Sequence, residues 1–487
     1  MNKKLTIILT FLFVITFAFG TVGCNLRDPN KNDEVDLSDV DFNISSDYTD
    51  SLTIWVTSDN SEMDMINSFV KSFNQIYPKI AVTVKGIEGS TWLTSLRNAA
   101  NVPSLAPDIF WASPDKLATF RNFDIILPLT PFVEADPNFS LDGIVEGSLK
   151  CCEMDDSLWI MPRDWNQVVM YYNMDMFDAA KVAYPSTDKA MSLTEFEKML
   201  DDLKAGLLVS EETNSDGRMY KDCFSHTWSC SIMWDSMIWP ILKSYGGNIT
   251  LEDGTGLDSQ GNPVFDSKES VEAIDWVRQL VADGHLIELS DHRDNVEFCA
   301  ETAPVYCHMR SMLTTLIEAR SDYNAISRLG VAPMPNLGSQ DNYYVGSGST
   351  GYAMNKATTK KTAAWAFLKS VVSELSQEEV TKTGVVVPVL DSLINDENAN
   401  WRTFSHKAIN HENFSWEPFV YKRNEIYTHI TDFTQYIDVS AQTNVFDNLM
   451  TAFNLGSTPS YTKDKEGVAA VVKTWAKNMC TNMSGKV

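Results

Sequence analysis

The stretch SLTIWVTSDNSEMDMINSFVKSFNQIYPKIAVTVKG, residues 51–86, sets the architecture. It opens on Leu52, Ile54, Trp55 and Val56, a β-branched and aromatic run that reads as a buried strand. Met63, Ile66, Phe69, Val70, Phe73 and Ile76 then recur at helical spacing, with Ser61 at the opening and Pro78 at the close. IAVTVKG (80–86) returns to strand, TWLTSLRNAANVPS (91–104) to helix and PDIFWAS (107–113) to strand. This β-α-β-α-β order predicts an α/β protein with a mainly parallel sheet flanked by helices. Open sheets of this kind take ligands beyond the carboxyl ends of their strands, and Ser58, Asp59 and Trp111 fall at such ends. Asp115 and Lys116 follow Trp111 closely, so a flat apolar face and two polar heads sit at one strand end. Packing is the alternative role for Trp111.

The rest of the chain continues the pattern. SLWIMPRDWNQVVMYYNMDMF (157–177) reads as a second strand region, and SLTEFEKMLDDLKAG and KESVEAIDWVRQLVADG as amphipathic helices. SYGGNITLEDGTGLDSQGNPVFDS (244–267) has the turn chemistry of a hairpin. NVEFCAETAPVYCHMRS is a helix end, a strand and a turn, and GVAPMPN a short extended stretch. GSGSTGYAMN (346–355) is a Gly-rich loop feeding a strand. Its glycines answer either to a tight turn or to backbone N–H groups near a ligand. KKTAAWAFLKSVVS is a helix. There is no internal repeat, and a chain of this length exceeds one core, which predicts two domains.

The amino terminus, MNKKLTIILTFLFVITFAFGTVGCNLRDPN, has a basic pair at Lys3 and Lys4, an apolar run from Leu5 to Phe19 and small residues before Cys24. That is a secretory signal over residues 1–23, whose apolar run of about 15 residues is too short to span a bilayer as a helix. A cysteine at this point resembles the bacterial lipobox, which implies lipidation of Cys24 and anchoring to the outer face of the cytoplasmic membrane. Residues 24–50, acidic and polar, read as a disordered tether. Removing the signal takes away two lysines and no acid, so the mature chain is still more negative than the formal −26 of the whole. Such a charge argues against nucleic acid and anionic lipid as partners. The eight cysteines show no metal-ligand spacing, and no cofactor motif is present. Cys223 with Cys230, or Cys299 with Cys307, are possible pairs, but most cysteines read as small apolar packing residues.

In order, these pieces resemble the bacterial extracellular solute-binding proteins of the sugar type, the capture subunits of ABC importers. The likeness rests on the strand ending at Ser58-Asp59, PDIFWAS, a proline before YYN (171–173), WPILKSYGG (239–247), ETAPVYCHMRS (301–311), GSGSTGYAMN and AAWAFLKSV. It implies a two-lobe periplasmic-binding-protein-like fold, a monomer, with residues 51–160 plus 291–335 as lobe one and 161–290 plus 336–487 as lobe two. A carbohydrate would be held between the lobes and handed to permease subunits, with no cofactor. The resemblance carries ligand contact over to Trp111, Asp115, Lys116 and Trp239. Trp234 and Ser236 stand at positions that supply an acid and a tyrosine in a maltose-binding member. Arg310 stands where that member has a tryptophan, and Asn166 near where it has an acid, so the solute is not expected to be maltose.

Sugar chemistry suits these residues. Indole faces cover the C–H surface of a pyranose, and charged or amide groups bond its hydroxyl rim. Trp165 is placed with Trp111 and Trp239 as a contact. Arg163 and Asp164 read either as a surface ion pair or as a polar clamp at the hinge, and Ser347 as a further contact from the Gly-rich loop. His308 reads as a packed or solvated histidine. Two rivals remain: a lipid-anchored surface enzyme acting on polysaccharide, and the same fold binding a peptide or an organic anion. No HExxH or G-x-S-x-G motif supports the enzyme.

Overall fold

The computed structural model describes residues 35–100, 102–232, 234–248, 258–260, 262–286, 294–319, 324–338, 342–425 and 465–483. The signal, Cys24, the start of the tether and the turn-rich part of 244–267 lie outside them. Two main sheets are built from β1 (Asp50–Thr57), β2 (Ile80–Ile87), β3 (Ile109–Ala112), β4 (Met161–Pro162), β5 (Val169–Asn173), β6 (Trp228–Ser229), β7 (Val305–His308), β8 (Leu329–Pro333) and β9 (Gly351–Met354). The first sheet runs β2-β1-β3-β9-β4 and the second β8-β5-β7-β6.

β1 pairs in parallel with β2 and with β3. Leu52, Ile54 and Val56 are buried, and so is Trp55 on the other face, as expected of a strand covered on both sides. The helix Asn60–Ile76 is capped by Asp59, whose Oδ1 accepts the Glu62 N–H at 2.8 Å; the expected opener, Ser61, is already inside it. Phe69 meets Tyr352 edge-on at 5.7 Å and Phe73 meets Phe367 at 5.2 Å. Each fully buried phenyl contributes roughly 1.5–3 kcal/mol, which fixes the helix on the sheet.

In the second sheet β5 is antiparallel to β7 and β8, and β6 is parallel to β7. The helices Leu193–Leu207, opened by a Ser192–Glu195 capping box, and Lys268–Ala282 pack on it. The two sheets have separate cores, one built mainly from residues 52–161 and 352–389 and the other from 145, 165–345, 387 and 394–476.

That division corrects the expected lobe boundaries after residue 290. β7 and β8 belong to the second sheet, so 291–335 does not complete lobe one. β9 lies between β3 and β4, and the helix Lys361–Val371 packs in the first core, so 336–390 does not belong wholly to lobe two. The cause is a close backbone approach. A Cβ on Gly351 would lie 2.0 Å from the Met161 carbonyl, and one on Gly346 would lie 2.0 Å from that of Ser236. These glycines seat the returning chain against both lobes. Neither adopts a positive φ, so the tight-turn explanation does not apply to them.

Among the described residues, three segments cross between the cores. Asn166–Gln167 pairs with Ser347–Gly348, and Trp165 N–H donates to the Val387 carbonyl at 2.9 Å. The acidic stretch before β1 is not a free tether up to residue 50. Val35, Leu37, Val40, Phe42, Ile44 and Tyr48 pack on the first core, while Lys361 and Lys79 pair with Asp39 and Asp47. Overall acidity concealed these spaced apolar residues. Residues 394–420, and the helix Lys465–Met483 through Val468 and Val472, complete the second core. Cys151, Cys152, Cys223, Cys230, Cys299 and Cys307 are buried thiols, so neither disulfide considered from the sequence is formed.

Candidate functional site

Both sheets turn the same edge toward the crossovers. In the first, Ala112 at the end of β3 pairs with Gly351, which pairs in turn with Pro162. In the second, His308 and Pro333, the ends of β7 and β8, both pair with Val169. The crossover from Pro162 to Val169 is seven residues and spans at most roughly 25 Å. The carboxyl ends of strands from two sheets are therefore held across one short gap in the sequence, where α/β sheets take ligands.

On the first lobe, the Ser58 N–H ties β1 to the Ile87 carbonyl at 2.8 Å. Ser58 and Asp59 are exposed; Asp59 spends one carboxylate oxygen on its helix cap and accepts the Thr57 hydroxyl with the other at 2.5 Å. Trp111 is half-buried and meets Trp92 edge-on at 5.9 Å. The indole N–H groups of Trp92 and Trp111 have no hydrogen-bond partner among the described residues. Beyond Pro114, Asp115 accepts from both the Ser113 hydroxyl and the Lys116 ammonium, so the expected acidic-basic pair is formed on this edge.

Arg163 and Asp164 are neither a surface pair nor an open clamp. Both are buried, and Arg163 holds both carboxylate oxygens of Glu62, one at 2.5 Å. Asp164 accepts the Thr350 N–H at 3.0 Å, and Gln377 donates to the Arg163 carbonyl at 3.0 Å. Burial opposes the Arg163 charge, but Glu62, Tyr352 and Asp164 outweigh it and hold the guanidinium pKa above its ordinary value. Burial pushes the Glu62 carboxyl up against the pull of Arg163. We take the pair as ionised, because each charge faces its counter-ion directly. This network locks the crossover to the first helix.

On the second lobe, half-buried Trp234 stacks on His308 at 4.6 Å with an 18° interplanar angle. Arg310 follows two residues on and is 1 % exposed. Its guanidinium carbon lies 4.3 Å from the Trp416 ring centre and 5.3 Å from that of Phe419. None of its three side-chain nitrogens has a hydrogen-bond partner among the described residues. Burial lowers its pKa to about 9, with Tyr171 a smaller opposing influence.

The remaining expected contacts divide. Trp239 is in the second core with Lys243 over its ring at 5.0 Å. Trp165 is fully buried at the crossover, and the Oδ1 of half-buried Asn166 beside it has no hydrogen-bond partner among the described residues. Ser347 is buried in the crossover pair with Gln167. Sequence reasoning missed Glu62, Trp416 and Phe419. Glu62 stands where an ordinary helix-cap acid would, and Trp416 and Phe419 lie in a tail without readable periodicity. A groove of 670 Å³ beside Tyr184, Met191 and Met199 lies toward the opposite end of β5 and holds none of these residues. Among the described residues there is no His/Cys/Asp/Glu group suited to a metal ion.

The family described as bacterial extracellular solute-binding protein matches residues 68–409. Several solved structures share the fold at low identity. An ABC substrate-binding protein of Listeria monocytogenes, in complex with cycloalternan, is 16% identical with a TM-score of 0.67, covering 90% of this chain and 100% of that one. The GacH receptor of Streptomyces glaucescens GLA.O, solved unliganded and with acarbose, is 16% identical with a TM-score of 0.65, covering 89% and 99%. A maltose-bound protein of T. maritima is 15% identical with a TM-score of 0.64, covering 90% and 100%. No curated protein matches the chain.

Proposed function

The chain belongs to the bacterial extracellular solute-binding proteins, and from that premise we propose that it is the capture subunit of a carbohydrate ABC importer. The observation that carries this reading is the arrangement of strand ends. Two sheets with separate cores present their carboxyl edges to shared crossovers, with Trp111 on one edge and Trp234 and Arg310 on the other. Orphaned buried donors at Trp92, Trp111 and Arg310 support it, because buried polar groups normally have partners. The structural relatives bound to cycloalternan, acarbose and maltose favour saccharides as the solute class. Ser58, Asp59, Asp115, Lys116 and Asn166 are the polar rim of the proposed site.

Solute meets one lobe and the other closes over it, shifting an existing open–closed balance by its differential affinity for the closed form. The closed monomer is then read by the permease, and Cys24 carries the lipid that keeps it at the membrane. The solute leaves unaltered. No described helix is long and apolar enough to cross a membrane. Thermal melting across mono- and oligosaccharides tests the reading. A saccharide-dependent rise in melting temperature with the sugar recovered intact by thin-layer chromatography supports it, whereas cleaved products or no response to any saccharide contradict it.

A further inference from the structure

We propose that the captured solute carries a carboxylate and that Arg310 receives it. This rests on the reading of the chain as a saccharide-capturing subunit and narrows the solute to sugar acids. The case begins with what Arg310 lacks. The chain holds 65 acidic residues against 39 basic ones, yet among the described residues no carboxylate pairs with this buried guanidinium. Trp416 and Phe419 lie against it and offer aromatic rings, which supply some cation–π attraction but no oxygen for five N–H donors. Among the described residues Tyr171 is the ionisable neighbour that acts on it, but burial keeps that phenol neutral, and its hydroxyl is already donating to the Met309 carbonyl at 3.1 Å. A buried cation left this way is costly unless something arrives to pair with it.

The position says what can arrive. Arg310 lies just past the end of β7, on the edge of the second sheet that faces the crossovers. A maltose-binding member of the family that the chain resembles has a tryptophan there; this chain has a planar fork in its place. A guanidinium fork matches a carboxylate with two parallel hydrogen bonds. The acidic surface repels anions at long range, but that repulsion is screened beyond roughly 8 Å at physiological salt, so a local cation governs the final contact. The bound carboxylate restores to Arg310 the kind of counter-ion that Arg163 finds in Glu62.

The test uses oligouronides (oligogalacturonate, oligomannuronate and oligoglucuronate), each beside its carboxyl-reduced neutral counterpart, together with sulfated and plain neutral oligosaccharides. Thermal melting and calorimetry are run on the full chain and on Arg310→Met and Arg310→Lys. The expected result is binding of at least one oligouronide, with carboxyl reduction weakening it about 10- to 100-fold. Arg310→Met should cause a similar loss for the acid form and a clearly smaller loss for the reduced form, and Arg310→Lys should fall between. The melting temperature of each variant establishes that it is folded. Equal binding of acid and reduced forms, unchanged acid binding by Arg310→Met, or binding of sulfated sugars alone overturns the carboxylate. Binding of neutral saccharides alone overturns this inference and leaves saccharide capture standing. No response to any saccharide overturns both.

Discussion

Arg163 and Arg310 are both sealed from solvent, and their surroundings differ in whether a counter-ion stands beside the guanidinium. Arg163 sits at the crossover between Glu62 and Asp164, with Tyr352 beneath it. Arg310 sits at the edge of the second sheet against Trp416 and Phe419, with no counter-ion among the described residues. The first is complete within the protein and holds two segments together. The second has no such partner among the described residues, and it is the one proposed to receive the solute. Burial alone does not distinguish structural from functional charge; the partner list does.

Breaking the complete site should cost most. Glu62→Ala leaves Arg163 buried with only Asp164, 3.6 Å away, and should lower stability by about 3–5 kcal/mol in urea titration. A loss below about 1 kcal/mol would place Glu62 among ordinary helix-cap acids. Removing the incomplete site should act in the opposite direction. Arg310→Met should leave the solute-free protein as stable as the wild type or up to about 3 kcal/mol more stable at pH 7. The gap should narrow as pH rises above 9. The folded pKa of Arg310, about 9, is below its ordinary 12.5, so in that window the unfolded chain binds more protons and wild-type stability rises with pH. A strongly destabilised Arg310→Met would mean that the guanidinium is structural after all.

Smaller effects sharpen the contrast. Trp111→Ala should weaken saccharide binding about 3- to 10-fold in calorimetry with little change in melting temperature. Unchanged affinity would return Trp111 to packing. Lys198→Ala breaks an exposed pair with Asp202 on the helix Leu193–Leu207 and should change stability by less than about 0.5 kcal/mol. A larger change would show that exposed pairs here do more than the buried comparison allows.

The parallel start of the first sheet was legible because Leu52, Ile54 and Val56 alternate with Trp55, and Phe69 and Phe73 repeat at helical spacing. That local periodicity survives folding. Membership of a sheet is not local. The strand at 351–354 was readable as a strand, but its lodging beside β4 depends on Gly351 passing the Met161 carbonyl. Arg163 and Arg310 were both readable as candidates, and neither environment was. Glu62 is 101 positions from Arg163, and Trp416 comes from a tail whose aromatics follow no period. The acidic strap before β1 was misread because composition averages away the few apolar residues that dock it.

The most direct test is a crystal structure of the full chain with the saccharide that stabilises it. The account predicts the sugar between the two sheets' carboxyl edges, against Trp111 on one side and with an oxygen in hydrogen-bond contact with Arg310 on the other. A sugar seated on the outer flank beside Tyr184 and Met199, with Trp111 and Arg310 untouched, would contradict it.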